Sequence, residues 1–215
     1  MKFQHIIFDW DGTLADTYPV ISAAYDYTFD MLCLPRIPYN EVKRITGTLQ
    51  NKDILSHIFG EREQEASDVF YNYMDEFHTD KLVAMPHAKE LMTYCKEKEL
   101  NVYLITNKRT HFVMKEIEKL GFDGYFKKIV AAGEFEQDKP HPIAAHAVFD
   151  NEIPDADTIL MIGDGEADIQ TVRAYGHDGK RAECVIYDPN DKFRGSMPDY
   201  RVRDLADIIV LLGKE

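Results

Sequence analysis

Apolar residues along this chain fall into two rhythms. Short apolar runs lie near residues 3–8, 101–106, 127–131, 158–163 and 183–187. Runs of that length predict strands buried on both faces, as in a parallel sheet. Between them, stretches near 87–98, 110–120, 141–150, 167–175 and 203–212 carry apolar residues at helical spacing. Strand and helix in alternation predict an α/β fold, a Rossmann-like parallel sheet wrapped by helices.

The alternation is interrupted once. Residues 16–82 contain no buried strand pattern; instead Val20, Ala23, Ala24, Tyr27 and Met31 recur at helical spacing, as do Val69, Tyr73 and Phe77. Polar breaks fall at Pro35 to Pro38 and at Gly47 to Asn51. The expected organisation is therefore a core of residues 1–15 and 83–215 with a helical unit, 16–82, inserted after the first strand. The aromatic residues of the insert, Tyr25, Tyr27, Phe29, Phe70, Tyr71, Tyr73 and Phe77, are read as its small core rather than a dimer face.

At 215 residues and 45% hydrophobic content, the chain can bury a full α/β core beside a small second unit. No segment approaches the length of a membrane span, and Asp9 interrupts the first apolar run too soon for a signal sequence, so a cytoplasmic protein is expected. Cys33, Cys95 and Cys184 are widely spaced among apolar neighbours and read as buried free thiols. The histidines show no metal spacing, and His141 reads as a helix cap. A net charge of −13 argues against nucleic acid as a partner. It also means that a phosphate-handling site would have to reverse the field locally, with a divalent cation, a lysine and helix N-terminal amides.

Candidate chemistry begins at the end of the first strand, in Asp9-Trp10-Asp11-Gly12-Thr13-Leu14. The carboxyl end of a buried strand is where open α/β sheets carry their sites. In an extended backbone Asp9 and Asp11 point the same way, which suits a hard cation or a division of nucleophile and acid/base work. Alone, the segment is as easily a solvated turn. Three further pieces follow apolar runs downstream: Thr106-Asn107, Lys139-Pro140 and Gly163-Asp164-Gly165-Glu166-Ala167-Asp168. Each has its own bland reading, as a helix start or a solvated loop, and it is their joint order that points to phosphoryl transfer.

In that order the four pieces resemble the motifs of the haloacid dehalogenase superfamily, over residues 3 to about 210. The resemblance implies a phosphatase of small phosphorylated metabolites, Mg2+-dependent and working through an aspartyl-phosphate. Thr106-Asn107-Lys108 and Lys139-Pro140-His141-Pro142 resemble phosphoglycolate phosphatases, which implies phosphoglycolate-like substrates. Asp9 is the implied nucleophile and Asp11 the acid and base, with Thr13 supporting the loop. Asp9, the Asp11 carbonyl and Asp164 are the implied metal ligands. Thr106, Asn107 and Lys139 would hold the phosphoryl group, and Asp168 would act through water or by holding its neighbours. The insert corresponds to a cap whose loop, including Thr46, Gly47, Gln50 and Lys52, would face the site and select the substrate.

The same residues fit other families less well. Asp168 stands where a dinucleotide-binding turn would need glycine, and a phospho-receiver domain would be smaller and uninterrupted. Asp11 argues against dehalogenation. Neither Lys43 nor Lys52 lies in a context that suggests the lowered pKa of a Schiff-base lysine. A sugar phosphomutase remains the alternative, weakened by Gln50 near the position of that family's phosphate-binding arginine; a non-catalytic binding protein is the more distant one. Monomer and homodimer both stay open.

Overall fold

The computed structural model describes residues 2–46, 49, 51–150, 154–177 and 180–213. The first part of the chain forms β1 His5–Phe8, β2 Ala15–Asp16, α1 Tyr18–Met31, α2 Tyr39–Thr46, α3 Asn51–Phe59, α4 Glu63–Phe77 and β3 Val83–Ala84. Then come α5 Ala88–Glu97, β4 Asn101–Arg109, α6 Thr110–Leu120, β5 Lys128–Ala132, α7 Ile143–Ala147 and β6 Ile159–Gly163. The chain finishes with α8 Glu166–Arg173, β7 Gly176–His177, β8 Lys180–Arg181, β9 Glu183–Tyr187, β10 Tyr200–Val202 and α9 Ala206–Leu212.

Six strands form one parallel sheet in the order β10-β9-β6-β1-β4-β5. Phe8 at the end of β1 pairs with Leu104 of β4 on one side and Ile162 of β6 on the other. The chain winds outward from β1 through β4 and β5, then returns to β6 on the opposite side. The winding therefore reverses at β1, and such a reversal leaves a crevice at the carboxyl ends of the strands.

Side chains alternate across this sheet, and both faces are buried. Ile6, Phe8, Leu104, Leu160 and Ile162 pack with Leu91, Val113, Ile117 and Ile208 of α5, α6 and α9. Ile7, Ile105, Ile159 and Met161 face Ala144, Ile169 and Val172 of α7 and α8. Burial on both faces is why these strands read as continuous apolar runs rather than alternating ones.

Helices α1 to α4 pack around a third apolar cluster that includes Tyr25, Phe29, Leu55, Phe70 and Met74, joined by Phe112 of α6. β2 and β3 pair antiparallel, Ala15 with Ala84 and Asp16 with Val83, so the chain leaves and re-enters the α/β part at one point. The aromatic residues of this stretch mostly turn inward, although Tyr27 is exposed.

Four sequence expectations need correction. β4 runs on through Thr106 and Asn107 to Arg109, with a register shift beyond Ile105, so the second motif lies within a strand rather than at a strand-to-helix turn. The segment expected to be helical over 141–150 forms only the short α7, Ile143–Ala147. β10 was not anticipated, because its exposed middle residue, Arg201, hides the pattern of an edge strand. Cys33 is exposed, although Cys95 and Cys184 are buried and all three are free. The reason is local: Cys33 has φ of 53° just past α1, and Leu34 N–H bonds to Phe29 O while Cys33 N–H bonds to Asp30 O. That reversal ends the helix and turns the Cys33 side chain outward.

Candidate active site

Asp9 follows β1 directly, its N–H bonded to Ile162 O at 2.9 Å, which places its carboxylate in the crevice. Lys139 Nζ lies 2.6 Å from Asp9 Oδ1 and 2.7 Å from Asp168 Oδ1, and all three residues are buried. The other oxygen of Asp168 accepts from Gly165 N–H at 3.0 Å and Asp164 N–H at 3.2 Å, at the start of α8. Gly163 makes room for this arrangement, because a Cβ there would collide with the Asp168 carboxyl group.

Asp9, Asp164 and Asp168 each place a carboxylate oxygen within 4.8 Å of the others. Both oxygens of Asp168 are already engaged, so Asp9 and Asp164 are the carboxylates with capacity left for a cation. Burial pushes the Asp9 carboxyl up to about 8, with Asp168, Asp164 and Asp11 adding repulsion and Lys139 acting against it. Burial opposes the charge of Lys139 too, yet Asp168 and Asp9 hold its ammonium above the ordinary lysine range. Asp9 and Asp164, beside a lysine held by Asp9 and Asp168, supply hard oxygens suited to Mg2+.

Asp11 lies beside this cluster but turns elsewhere. Its Oδ1 accepts from Thr17 Oγ1 at 2.5 Å and from Lys108 Nζ at 2.6 Å. Gly12 has φ of +79°, and a Cβ there would fall against the Tyr18 hydroxyl and the Asp164 carboxylate. Gly12→Ala is therefore expected to cost about 1–3 kcal/mol of stability and to depress turnover together with it, read from thermal melts beside kcat. A variant that melts and turns over like the parent would show that the loop has room to shift.

Thr13 is buried, and its hydroxyl finds no hydrogen-bond partner among the described residues. Thr106 is buried as well, with Oγ1 accepting Lys108 N–H at 3.1 Å, and it is not part of the cavity wall. Asn107 does line the cavity; its Nδ2 donates to Lys139 O at 2.8 Å, while its buried Oδ1 has no partner among the described residues. Buried polar atoms of this kind are ordinarily met by water or ligand. Gly47 and Gln50 lie outside the described residues. Of Thr46 and Lys52 only the backbone is described, at the end of α2 and the start of α3. His141 does act as a cap, taking Ile143 N–H on Nδ1 at 3.2 Å.

Two groups of residues escaped the sequence reading. From the helical insert, Lys43 Nζ approaches Asp164 Oδ2 at 2.5 Å, and the Tyr18 hydroxyl donates to the same oxygen and contacts Lys43. Burial, then the Asp164 charge, raises the Tyr18 phenol and keeps it a donor. Behind Asp11, Lys108 Nζ also contacts Glu116 Oε2 at 2.8 Å. The same Glu116, fully buried, accepts from Trp10 Nε1 at 2.6 Å and meets His78 Nδ1 at 3.1 Å. One signal for this network was available: Phe112, Val113, Glu116, Ile117 and Leu120 form the buried stripe of α6, and a glutamate on such a stripe requires a partner.

A cavity of about 240 Å³ opens from Asp9, Asp164 and Lys139 towards α1 to α4. Fold and site thus define a class: an α/β enzyme with an acidic, lysine-bridged centre where its sheet winding reverses. The chain belongs to the haloacid dehalogenase-like hydrolase family, whose model matches residues 6–178. It is 24% identical over 213 residues to the pyrophosphatase PpaX of Oceanobacillus iheyensis, covering 99% of this chain and 98% of that one. To a phosphoglycolate phosphatase of Nitrosococcus oceani it is 27% identical over 222 residues, covering 98% and 97%. The crystal structure of a predicted phosphoglycolate phosphatase from Haemophilus somnus 129pt has the same fold, with a TM-score of 0.83 at 20% identity over 99% of both chains.

Proposed function

We propose that this hydrolase is a Mg2+-dependent phosphatase of small phosphate monoesters, working through a phosphorylated Asp9. The observation that carries the reading is Asp9 itself: buried at the carboxyl end of β1, held by Lys139, beside Asp164, and open to a cavity. The names of the relatives, phosphoglycolate phosphatase and pyrophosphatase, support a phosphate-bearing substrate.

In this mechanism an Asp9 oxygen attacks phosphorus and the P–O bond to the leaving group breaks. Asp11 donates a proton to the departing alkoxide. Water then attacks the phosphorus of phospho-Asp9, Asp11 takes its proton, and phosphate and free Asp9 result. Lys139 offsets charge on Asp9 and the transferring group, and the Asn107 amide orients phosphoryl oxygens, while Thr106, buried behind the cavity, holds the backbone through Lys108 N–H. Asp9, Asp164 and the Asp11 carbonyl would hold Mg2+, which supplies charge neutralisation at the phosphoryl oxygens. Thr13 and Asp168 keep the loops in place.

Residues 16–82 are proposed to act as a cap over this site, with the segment containing Thr46, Gly47, Gln50 and Lys52 contributing to selectivity. A cytoplasmic location and a monomeric or homodimeric state belong to the same proposal. Among the described residues no helix is long and apolar enough to cross a membrane.

Phosphate release from a panel of monoesters tests the reading. Release is expected with Mg2+, to vanish with EDTA, and to be inhibited by Ca2+, whose larger and looser coordination shell positions the nucleophile poorly. Full activity in EDTA would overturn the metal assignment, and activation by Ca2+ would mean that the site holds a different geometry. Isomerisation of a sugar phosphate in the presence of a bisphosphate, without release, would instead mark a mutase.

A further inference from the structure

We propose that the substrates of this site carry a single apolar ring as the non-phosphate part. The proposal rests on the phosphatase reading above and names its substrate class.

From the carboxylates, the cavity continues into the helical insert, where Tyr25, Tyr39, Ile54, Phe70 and Met74 line it, together with Phe112 of α6. Tyr25, Phe70, Met74 and Phe112 are also part of the insert's apolar cluster, so that core opens directly onto the carboxylates. The rings are braced against one another: Tyr25 stacks on Tyr39 with centroids 5.7 Å apart, and meets Phe70 at 4.9 Å. A charged or strongly hydrated group placed here would exchange its water for little more than the hydroxyls of Tyr25 and Tyr39. An apolar ring would lose nothing polar and would find aromatic surfaces already in place.

The cations around the cavity point the same way. Lys139 is held by Asp9 and Asp168, and Lys108 by Asp11 and Glu116. Lys43 sits at the carboxylate end, on Asp164. Arg109 Cζ lies over the Tyr71 ring, 3.3 Å from its centroid, and both residues line this cavity and a second one. Among the described residues, then, each lining lysine is engaged by carboxylates, and Arg109 is engaged by the Tyr71 ring.

Size narrows the class further. A cavity of about 240 Å³ has room for a phosphoryl group carrying one ring.

The test compares kcat/KM for benzyl phosphate, ethyl phosphate and phosphoglycolate with Mg2+ present. Benzyl and ethyl esters leave as alkoxides of similar basicity, so their ratio reads the pocket rather than the bond being broken. Benzyl phosphate, hydrolysed to benzyl alcohol and phosphate, is expected to exceed both others by roughly 10- to 100-fold. Equal rates for benzyl and ethyl phosphate, or a preference for phosphoglycolate, would overturn the proposal. Ile54→Arg, at a half-buried position on α3, sets a cation in the wall and is expected to reduce the benzyl preference at least about tenfold. An unchanged ratio in that variant would count against the wall as the selective surface.

Calorimetry with benzylphosphonate and methylphosphonate, which cannot be hydrolysed, separates the two possible failures. Tighter binding of benzylphosphonate without turnover of any ester would sink the phosphatase reading and leave the ring pocket standing. Equal binding of the two phosphonates would sink the pocket whatever the turnover.

Discussion

Asp9→Asn is expected to reduce turnover by at least about 10⁴-fold while making the metal-free protein more stable near pH 8. Loss of activity follows from the proposed role, since an amide cannot accept the phosphoryl group. The gain in stability follows from the site's electrostatics. Burial raises the Asp9 carboxyl from 3.8 to about 8, and the repulsion of Asp168, Asp164 and Asp11 adds to it, against Lys139. Between those two values the folded chain holds a proton that the unfolded chain releases. Stability of the metal-free parent therefore declines as pH rises from about 4 to about 8. Asparagine does not titrate, so the variant lacks this slope. The measurement is the midpoint of thermal unfolding in EDTA across that range. The gap between the two proteins should open with rising pH and stop widening near pH 8. A constant gap would mean that Asp9 ionises without penalty. Mg2+ should raise the midpoint of the parent more than that of the variant, because Asp9 is one of its proposed ligands.

Lys108→Met should produce the largest structural effect of a single substitution. Burial opposes the Lys108 charge, but Asp11 and Glu116 overcome it and hold the ammonium above its ordinary range. Removing the cation leaves Glu116, with no exposed surface, only Trp10 Nε1 and His78 Nδ1 as partners among the described residues and takes from Asp11 its lysine contact. Breaking one side of a buried ion pair costs about 3–5 kcal/mol, or roughly 6–20 °C in the melting midpoint of a chain this size. Adding Glu116→Gln should restore part of that loss, because the orphaned buried charge disappears with it. Trp10, the only tryptophan, donates to Glu116 and so reports the rearrangement by its fluorescence. Turnover should fall roughly 10²-fold in Lys108→Met, as Asp11 loses the contact that aims it. A variant that melts within a degree or two of the parent would show that water reaches this network.

The same network marks how far the chain could be read unaided. Asp9, Lys139, Asp164 and Asp168 were legible because each follows or flanks an apolar run, and runs that end at the carboxyl edge of one sheet must deliver their next residues to one crevice. The backbone bonds from Asp168 to Gly165 and Asp164 are local and were nearly as plain. The length of β4 was not legible. Thr106 and Asn107 look like the end of a strand by composition, but the irregular pairing with β5 carries extended backbone to Arg109. Cys33 misled for a related reason: apolar neighbours predict burial, but the left-handed turn after α1 decides where that side chain points.

Local patterning was thus enough to establish the strand-and-helix order, the helical interruption after β1 and the acidic residues at strand ends, because each depends on neighbours a few positions away. Contacts made across the molecule were settled only by packing. Lys43 and Asp164 are 121 positions apart, and Trp10 and Glu116 are 106 apart. The buried stripe of α6 marks Glu116 as needing a partner, but nothing in either neighbourhood says which distant residue that partner is. They meet because α2 and α6 seat against particular faces of the crevice. The apolar character of the cavity has the same origin, since Tyr25, Phe70 and Met74 become its wall only when the core of the insert is turned towards β1.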